Sequence, residues 1–211
     1  MNFVALVSYL TIMAITPGPN NLALASSGVN FGLKRTLPAL MGMALGLSVQ
    51  VALLAVALGG MMALMESIKL YLAVAGCTYL LYLSWHMAHA GEPGEDGKQA
   101  CAKPMGFAGG VLFNWLNPKV WLMGFNVAVV FLPEHMHPLA AGALFFVITF
   151  AITLPCIALW AWGGEFIRRY LGTPRRLHVF NCSMALMLAA TATWLLVEML
   201  PAEAGSLAAM V

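Results

Sequence analysis

Not one charged side chain occurs between Met1 and Leu33. The same pattern recurs at Thr36 to Met65, Leu70 to Gly91, Pro138 to Gly164 and Leu177 to Val197, and again at Met105 to Pro133, where only Lys119 interrupts it. A helix that crosses a bilayer needs about 20 mostly apolar residues, so these stretches predict six transmembrane helices. Only 9% of the residues are charged and 62% are hydrophobic, whereas a soluble domain is about 25% charged. A chain with so few charges cannot coat a water-facing surface. That excludes an ordinary soluble domain, a disordered chain and a disulfide-built secreted module. A net charge of +2 gives no electrostatic footprint for nucleic acid, and no nucleic-acid partner is expected.

The first stretch does not read as a cleaved signal peptide. Its first positive side chain is Lys34, and its apolar run continues past Pro17 and Pro19. Loops between the stretches are short, the longest being 92–104, and there is no G-x-x-x-x-G-K-[ST] phosphate loop. A single transmembrane transporter domain over 1–211 is expected: a first three-helix repeat at 1–91, a cytoplasmic linker at 92–104, a second repeat at 105–200 and a short tail at 201–211. Lys34, Arg35, Lys98, Lys103, Arg168, Arg169, Arg175 and Arg176 all fall in loops on one side, against Lys69 on the other. The positive-inside rule makes that side cytoplasmic and both termini periplasmic. Arginine-rich loops of this kind also suit anionic membrane lipid.

Two stretches are interrupted midway. The first holds Thr16-Pro17-Gly18-Pro19-Asn20-Asn21, and the fourth holds Asn114-Trp115-Leu116-Asn117-Pro118-Lys119. Proline removes a helix hydrogen bond, and glycine permits a break. In lipid the freed backbone groups must find partners in protein or in a water-lined cavity; Thr16, Asn20 and Asn21 can supply some of them. The alternative reading is a structural kink. Both breaks lie near the bilayer middle. Three spans per half is an odd number, so the halves must run through the membrane in opposite directions. Paired breaks in such a layout mark an inverted-repeat carrier with a site between discontinuous helices. The expected fold is therefore all-α and polytopic, with six spans in a 3+3 inverted repeat and spans one and four broken at their proline motifs.

Lys119 is the one charge placed mid-span. Burying it costs about 2.5–3.5 kcal/mol on insertion scales, and such a residue is by default a functional hypothesis. As a cation it can hold a substrate carboxylate; by releasing its proton it can carry a coupling proton. The bland alternatives are a lysine that snorkels or one bonded to carbonyls freed at Pro118. Glu66, Glu165 and Glu198 lie near span ends, so the usual intramembrane carboxylate relay is missing. The expected substrate or gating residues are Thr16, Pro17, Gly18, Pro19, Asn20, Asn114, Asn117, Pro118 and Lys119.

Other features weigh less. Gly42 and Gly46 form a G-x-x-x-G suited to close helix packing, and Gly106, Gly109 and Gly110 read the same way. Pro155, preceded by Thr149 and Thr153, is a candidate third kink. Gln50, Asn114 and Asn126 can line a polar path or pair across helices. His135 and His137 read as a solvated loop rather than a metal site. Cys77, Cys101, Cys156 and Cys182 have no metal or redox spacing and read as free thiols. No metal and no cofactor is expected. An enzyme is not expected either, since there is no H-E-x-x-H, no G-x-G-D and no Ser/His pairing. A channel remains the rival, and a metal-ion exporter lacks intramembrane ligands.

The T-P-G-P-N-N of Thr16 to Asn21, the Lys34-Arg35 that follows, the G-C-T-Y-L-L-Y-L-S-W of Gly76 to Trp85 and the N-P-K of Asn117 to Lys119 together resemble the lysine-exporter family of bacterial amino-acid exporters. The homoserine/threonine-exporter branch is the nearest in pattern. Motif likeness runs from Met1 to about Pro133, and the later spans fit in layout. The resemblance implies an inner-membrane carrier that exports amino acids or close derivatives, driven by ion-motive force with proton exchange, built as an inverted repeat and forming dimers. Carried over by position, its motif residues are Pro17, Gly18, Pro19, Asn20, Asn117, Pro118 and Lys119. Two departures stand out: Ser84 replaces the family's glycine before Trp85, and no glycine occurs between Gly172 and Gly205. They leave homoserine, threonine, cysteine, O-acetylserine and leucine all open as substrates.

Overall fold

Proline decides where the helices of this chain begin. The computed structural model describes residues 2–89, 103–133 and 135–199. Lys98, Cys101, most of the linker placed at 92–104 and the tail at 201–211 lie outside the described residues. The elements are α1 (Phe3–Ile15), α2 (Pro19–Phe31), α3 (Leu33–Val56), α4 (Leu58–Ala88), α5 (Phe107–Trp115), α6 (Pro118–Phe131), α7 (Pro138–Arg168) and α8 (Pro174–Met199). Four of these open on proline. At a helix's first position the missing N–H is no loss and the fixed φ is already helical.

The same prolines end the preceding helices. A residue before proline is pushed out of the helical region. Thr16 accordingly has ψ 135°, and Gly18 before Pro19 is fully extended at φ −171°, ψ 177°. Asn117 before Pro118 has ψ 109°. The first interruption turns α2 by 51° from α1. Gly32, at φ +81°, makes the tight turn that lets α3 follow α2 at once. Pro155, by contrast, lies inside α7, whose helix continues past it to Arg168.

Among the described residues all regular structure is helical. Helices α3, α7 and α8 are long and apolar enough to cross a membrane, and α1 with α2 makes a fourth, broken span. At about 1.5 Å per residue, the 31 residues of α4 are also ample. Large apolar side chains point outward, among them Tyr71, Trp85, Leu139, Leu186 and Trp194, each more than 60% exposed. That surface suits lipid rather than water.

Helices α3 and α7 pack on each other at the centre, α2 lies against α7, α5 against α3 and α8 against α4. Glycines let the backbones come close. Gly28 and Gly164 seat α2 and α7 on each other, at the carbonyls of Ala161 and Ala25, and Gly42 and Gly110 do the same for α3 and α5, at Phe107 and Ala39. Gly46 faces Val111 in the second contact. The expected packing role thus holds for Gly42, Gly46 and Gly110. Gly106 faces open space, and Gly109 meets only Met105.

Two large apolar clusters, with a smaller one of Leu54, Trp121 and Ala128, form the interior among the described residues. One joins Leu22, Leu40, Met43, Phe113, Ile157 and Leu188. The other joins Leu6, Leu10, Val51, Met123, Val127 and Phe145. They lie toward opposite ends of the bundle. Arg168 reaches the turn at Gly32, and Lys103 lies in one hollow with Asn30 and His86, so the basic loops gather at the end of the first cluster.

Candidate functional site

The two chain breaks meet between these clusters. Asn20 Nδ2 donates to Asn114 Oδ1 at 2.7 Å, and Asn117 Nδ2 donates to Asn20 Oδ1 at 2.9 Å. Asn117 Oδ1 in turn caps α6 by accepting from the Lys119 backbone N–H at 3.1 Å. One asparagine from the first motif therefore bridges two from the second. Proline sets the geometry. Pro19 and Pro118 start α2 and α6 where Asn20 and Asn117 can face each other.

The first break is closed locally by its own side chains. Asn21 Nδ2 donates to the carbonyls of Ala14 and Thr16, at 2.9 and 2.8 Å. The Thr16 hydroxyl donates to the Ile12 carbonyl. The carbonyls left over at the end of α1 are thus partly satisfied by residues of the same motif.

Lys119 lies across the gap. A Cβ added to Gly18 would come within 3.0 Å of Lys119 Nζ, so glycine leaves room for the ammonium. Lys119 is partly buried and lines a cavity of about 40 Å³ together with Met13, Thr16, Asn20, Asn21, Asn117 and Thr153. That is room for a few waters and too little for an amino acid. Among the described residues the ammonium has no hydrogen bond and no ion pair.

The surrounding field is positive as well. Gly18 is the N-cap of α2, and no side chain caps that helix. Its first internal bond runs from Leu22 N to Gly18 O, leaving the Asn20 and Asn21 N–H groups outside the ladder. Lys119 is itself the second residue of α6. Helix N-termini carry roughly half a positive charge each. Two of them and an ammonium face one small cavity, an arrangement that fits an anion such as a carboxylate.

The structure thus brings together Thr16, Gly18, Pro19, Asn20, Asn117 and Lys119 around the cavity, with Asn114 joined through Asn20. Pro118 is buried beside them and Pro17 is exposed. Asn126 does not belong here. It is exposed on α6, so the polar path drawn through Gln50, Asn114 and Asn126 loses its last member. Gln50 is fully buried, with neither amide atom hydrogen-bonded. Sequence reasoning left Asn21 and Thr153 out of the site and missed Gly76 as its backing; at Gly76, α4 presses on the Leu116 carbonyl. Asn21 had a signal, as the second amide of a pair after a double proline. Thr153 had only its place before Pro155 in an apolar helix.

A second hollow of about 470 Å³ opens at the basic end, lined by Ser26, Ser27, Asn30, Tyr79, His86 and Lys103 among others. Ala23, Ser27 and Asn30 continue the helical face of α2 that starts at Asn20. Buried Phe113, edge-on to Tyr79 at 6.1 Å between centroids, stands between the hollow and the asparagine network. His137 caps α7 through its Nδ1. No group of three or more metal-ligating side chains occurs among the described residues.

Comparison with known proteins adds a family. The profile described as LysE type translocator matches residues 11–199. A cysteine/O-acetylserine efflux protein of Klebsiella pneumoniae is 29% identical over 171 residues, covering 78% of this chain and 83% of that protein. The proteins of the same name in Escherichia coli K12 and Shigella flexneri are each 31% identical over 169 residues, covering 77% of this chain and 82% of theirs. No solved structure matches significantly.

Proposed function

Because the chain belongs to the LysE type translocator family, we propose that it is a secondary carrier that exports cysteine, O-acetylserine or similarly small amino acids. The observation that carries the reading is the unpaired Lys119 ammonium beside the N-terminus of α2. In an empty site this cluster of positive charge is unfavourable. A substrate carboxylate would neutralise it.

The six-span, 3+3 inverted repeat belongs to the same proposal, with α1/α2 and α5/α6 as its broken spans. Exchanging α1 with α5, α2 with α6, α3 with α7 and α4 with α8 supports it. This swap turns the α3–α7 and α4–α8 contacts into themselves, α2–α7 into α6–α3, α1–α7 into α5–α3 and α2–α8 into α6–α4, all of which are contacts in the fold. The basic end faces the cytoplasm of a bacterial inner membrane, with the N-terminus outside. Substrate enters through the Ser27–Lys103 hollow, passes Phe113 and reaches Lys119. The two apolar clusters act as alternating gates. The driving ion is the proton, with Lys119 the only charged side chain lining the cavity.

Counterflow tests the reading. Purified protein in liposomes loaded with unlabelled cysteine should concentrate external labelled cysteine transiently, with saturation. Conductance without saturation or counterflow would mean a channel, and no flux of cysteine, O-acetylserine, homoserine, threonine or leucine would remove the exporter reading.

A further inference from the structure

Two residues that line the Lys119 cavity each carry a buried oxygen with no hydrogen-bond partner: Asn21 Oδ1 and Thr153 Oγ1. Both side chains are more than nine-tenths buried, with 4% and 2% exposure. A buried polar atom left unpaired is costly and calls for an explanation. The orientation of Asn21 is set by its other end. Nδ2 is committed to the carbonyls of Ala14 and Thr16, so an acceptor, not a donor, is what remains. Thr153, like Thr149 one turn earlier on α7, departs from the common habit of helical threonines, and of the two only Thr153 lines the cavity. Thr11, Thr78, Thr191 and Thr193 each donate their hydroxyl to the carbonyl four residues back. Thr153 makes no such bond.

The cavity therefore has two chemical sides. Lys119 and the helix N-termini offer positive charge and N–H groups; Asn21 and Thr153 hold unpaired oxygens just behind the wall, which a substrate reaches as the site opens. We propose that Asn21 Oδ1 and Thr153 Oγ1 receive the substrate's α-ammonium while Lys119 holds its carboxylate, so that the site selects zwitterions over plain carboxylic acids. The inference rests on the exporter reading and adds the amine half of recognition to it. Neutral acceptors suit the task. An aspartate in either place would put a full negative charge at the same cavity as Lys119, whereas an amide and a hydroxyl leave the lysine free for substrate.

Competition against labelled-cysteine counterflow in proteoliposomes separates the two halves. The competitors are cysteine, 3-mercaptopropionate, which lacks the amine, and cysteamine, which lacks the carboxylate. In the wild-type protein cysteine should compete at least about tenfold better than either. Thr153→Val should weaken cysteine about tenfold, leave 3-mercaptopropionate unchanged and be rescued by Thr153→Ser. Its unfolding temperature should hold or rise, because the hydroxyl removed has no partner. Wild-type protein that takes 3-mercaptopropionate as well as cysteine would overturn the inference with the carrier reading intact. So would a Thr153→Val protein whose affinities fall equally or not at all. No counterflow of cysteine, O-acetylserine, homoserine, threonine or leucine in the wild type would overturn the carrier reading and the inference together.

Discussion

Lys119 occupies the space that a side chain on Gly18 would need. The Nζ atom is 3.0 Å from where that Cβ would be, although the two residues come from different breaks. Gly18 has φ −171°, an extended conformation open to any residue, so the glycine answers to the lysine and not to backbone strain. Gly18→Ala should therefore insert and fold with little loss, within about 1 kcal/mol, because the flexible lysine tip can yield. Cysteine counterflow should fall about tenfold as the ammonium is displaced. Detergent unfolding temperature and flux, measured on one preparation, check this pair of outcomes.

Asn20 joins the two breaks through Asn114 and Asn117. Asn20→Ala leaves two buried polar partners unmatched, a loss of about 1–3 kcal/mol. Removing Asn117 as well should cost less than the two single changes added together, because both act on one network. Unfolding of the four proteins in a double-mutant cycle gives the coupling. Strict additivity would mean the two breaks do not support each other.

Gly76 and Gly106 make a controlled comparison. A Cβ on Gly76 would collide with the Leu116 carbonyl, which is backbone and cannot step aside, whereas one on Gly106 would meet nothing. Gly76→Ala should displace the second break, lower stability by about 1–3 kcal/mol and reduce flux. Gly106→Ala should be near neutral in both. Thermal unfolding and counterflow of the two variants decide it.

The orientation proposed for the basic end can be read chemically at its hollow. With the native cysteines replaced, Ser27→Cys should react with an impermeant maleimide in inside-out vesicles and not in right-side-out ones. Substrate should slow the reaction. The reverse sidedness would place the basic end outside.

Much of this was legible in sequence for a local reason. Charge-free runs and X-Pro steps act within a few residues, so the broken first span, the position of Pro118 and the helix starts could be read directly. The partner of each break could not. Asn20 and Asn117 are far apart in the chain, and their pairing depends on how α2 and α6 pack. Gly18 read as a helix breaker, yet its fit to Lys119 is a tertiary fact. Asn126 misled because an amide in an apolar run reads as inward-facing, and only the helix rotation leaves it exposed. Thr153 was hidden for the opposite reason. A threonine in a membrane helix ordinarily bonds its own backbone, and nothing local reveals that this one does not.

The account turns on Lys119 as the group that holds the substrate carboxylate. Lys119→Met keeps the length and apolar stem of the side chain and removes the charge. Reconstituted at equal protein, it should lose cysteine counterflow by about a hundredfold or more, with insertion and unfolding temperature unchanged or improved. Wild-type flux from that variant would contradict the account.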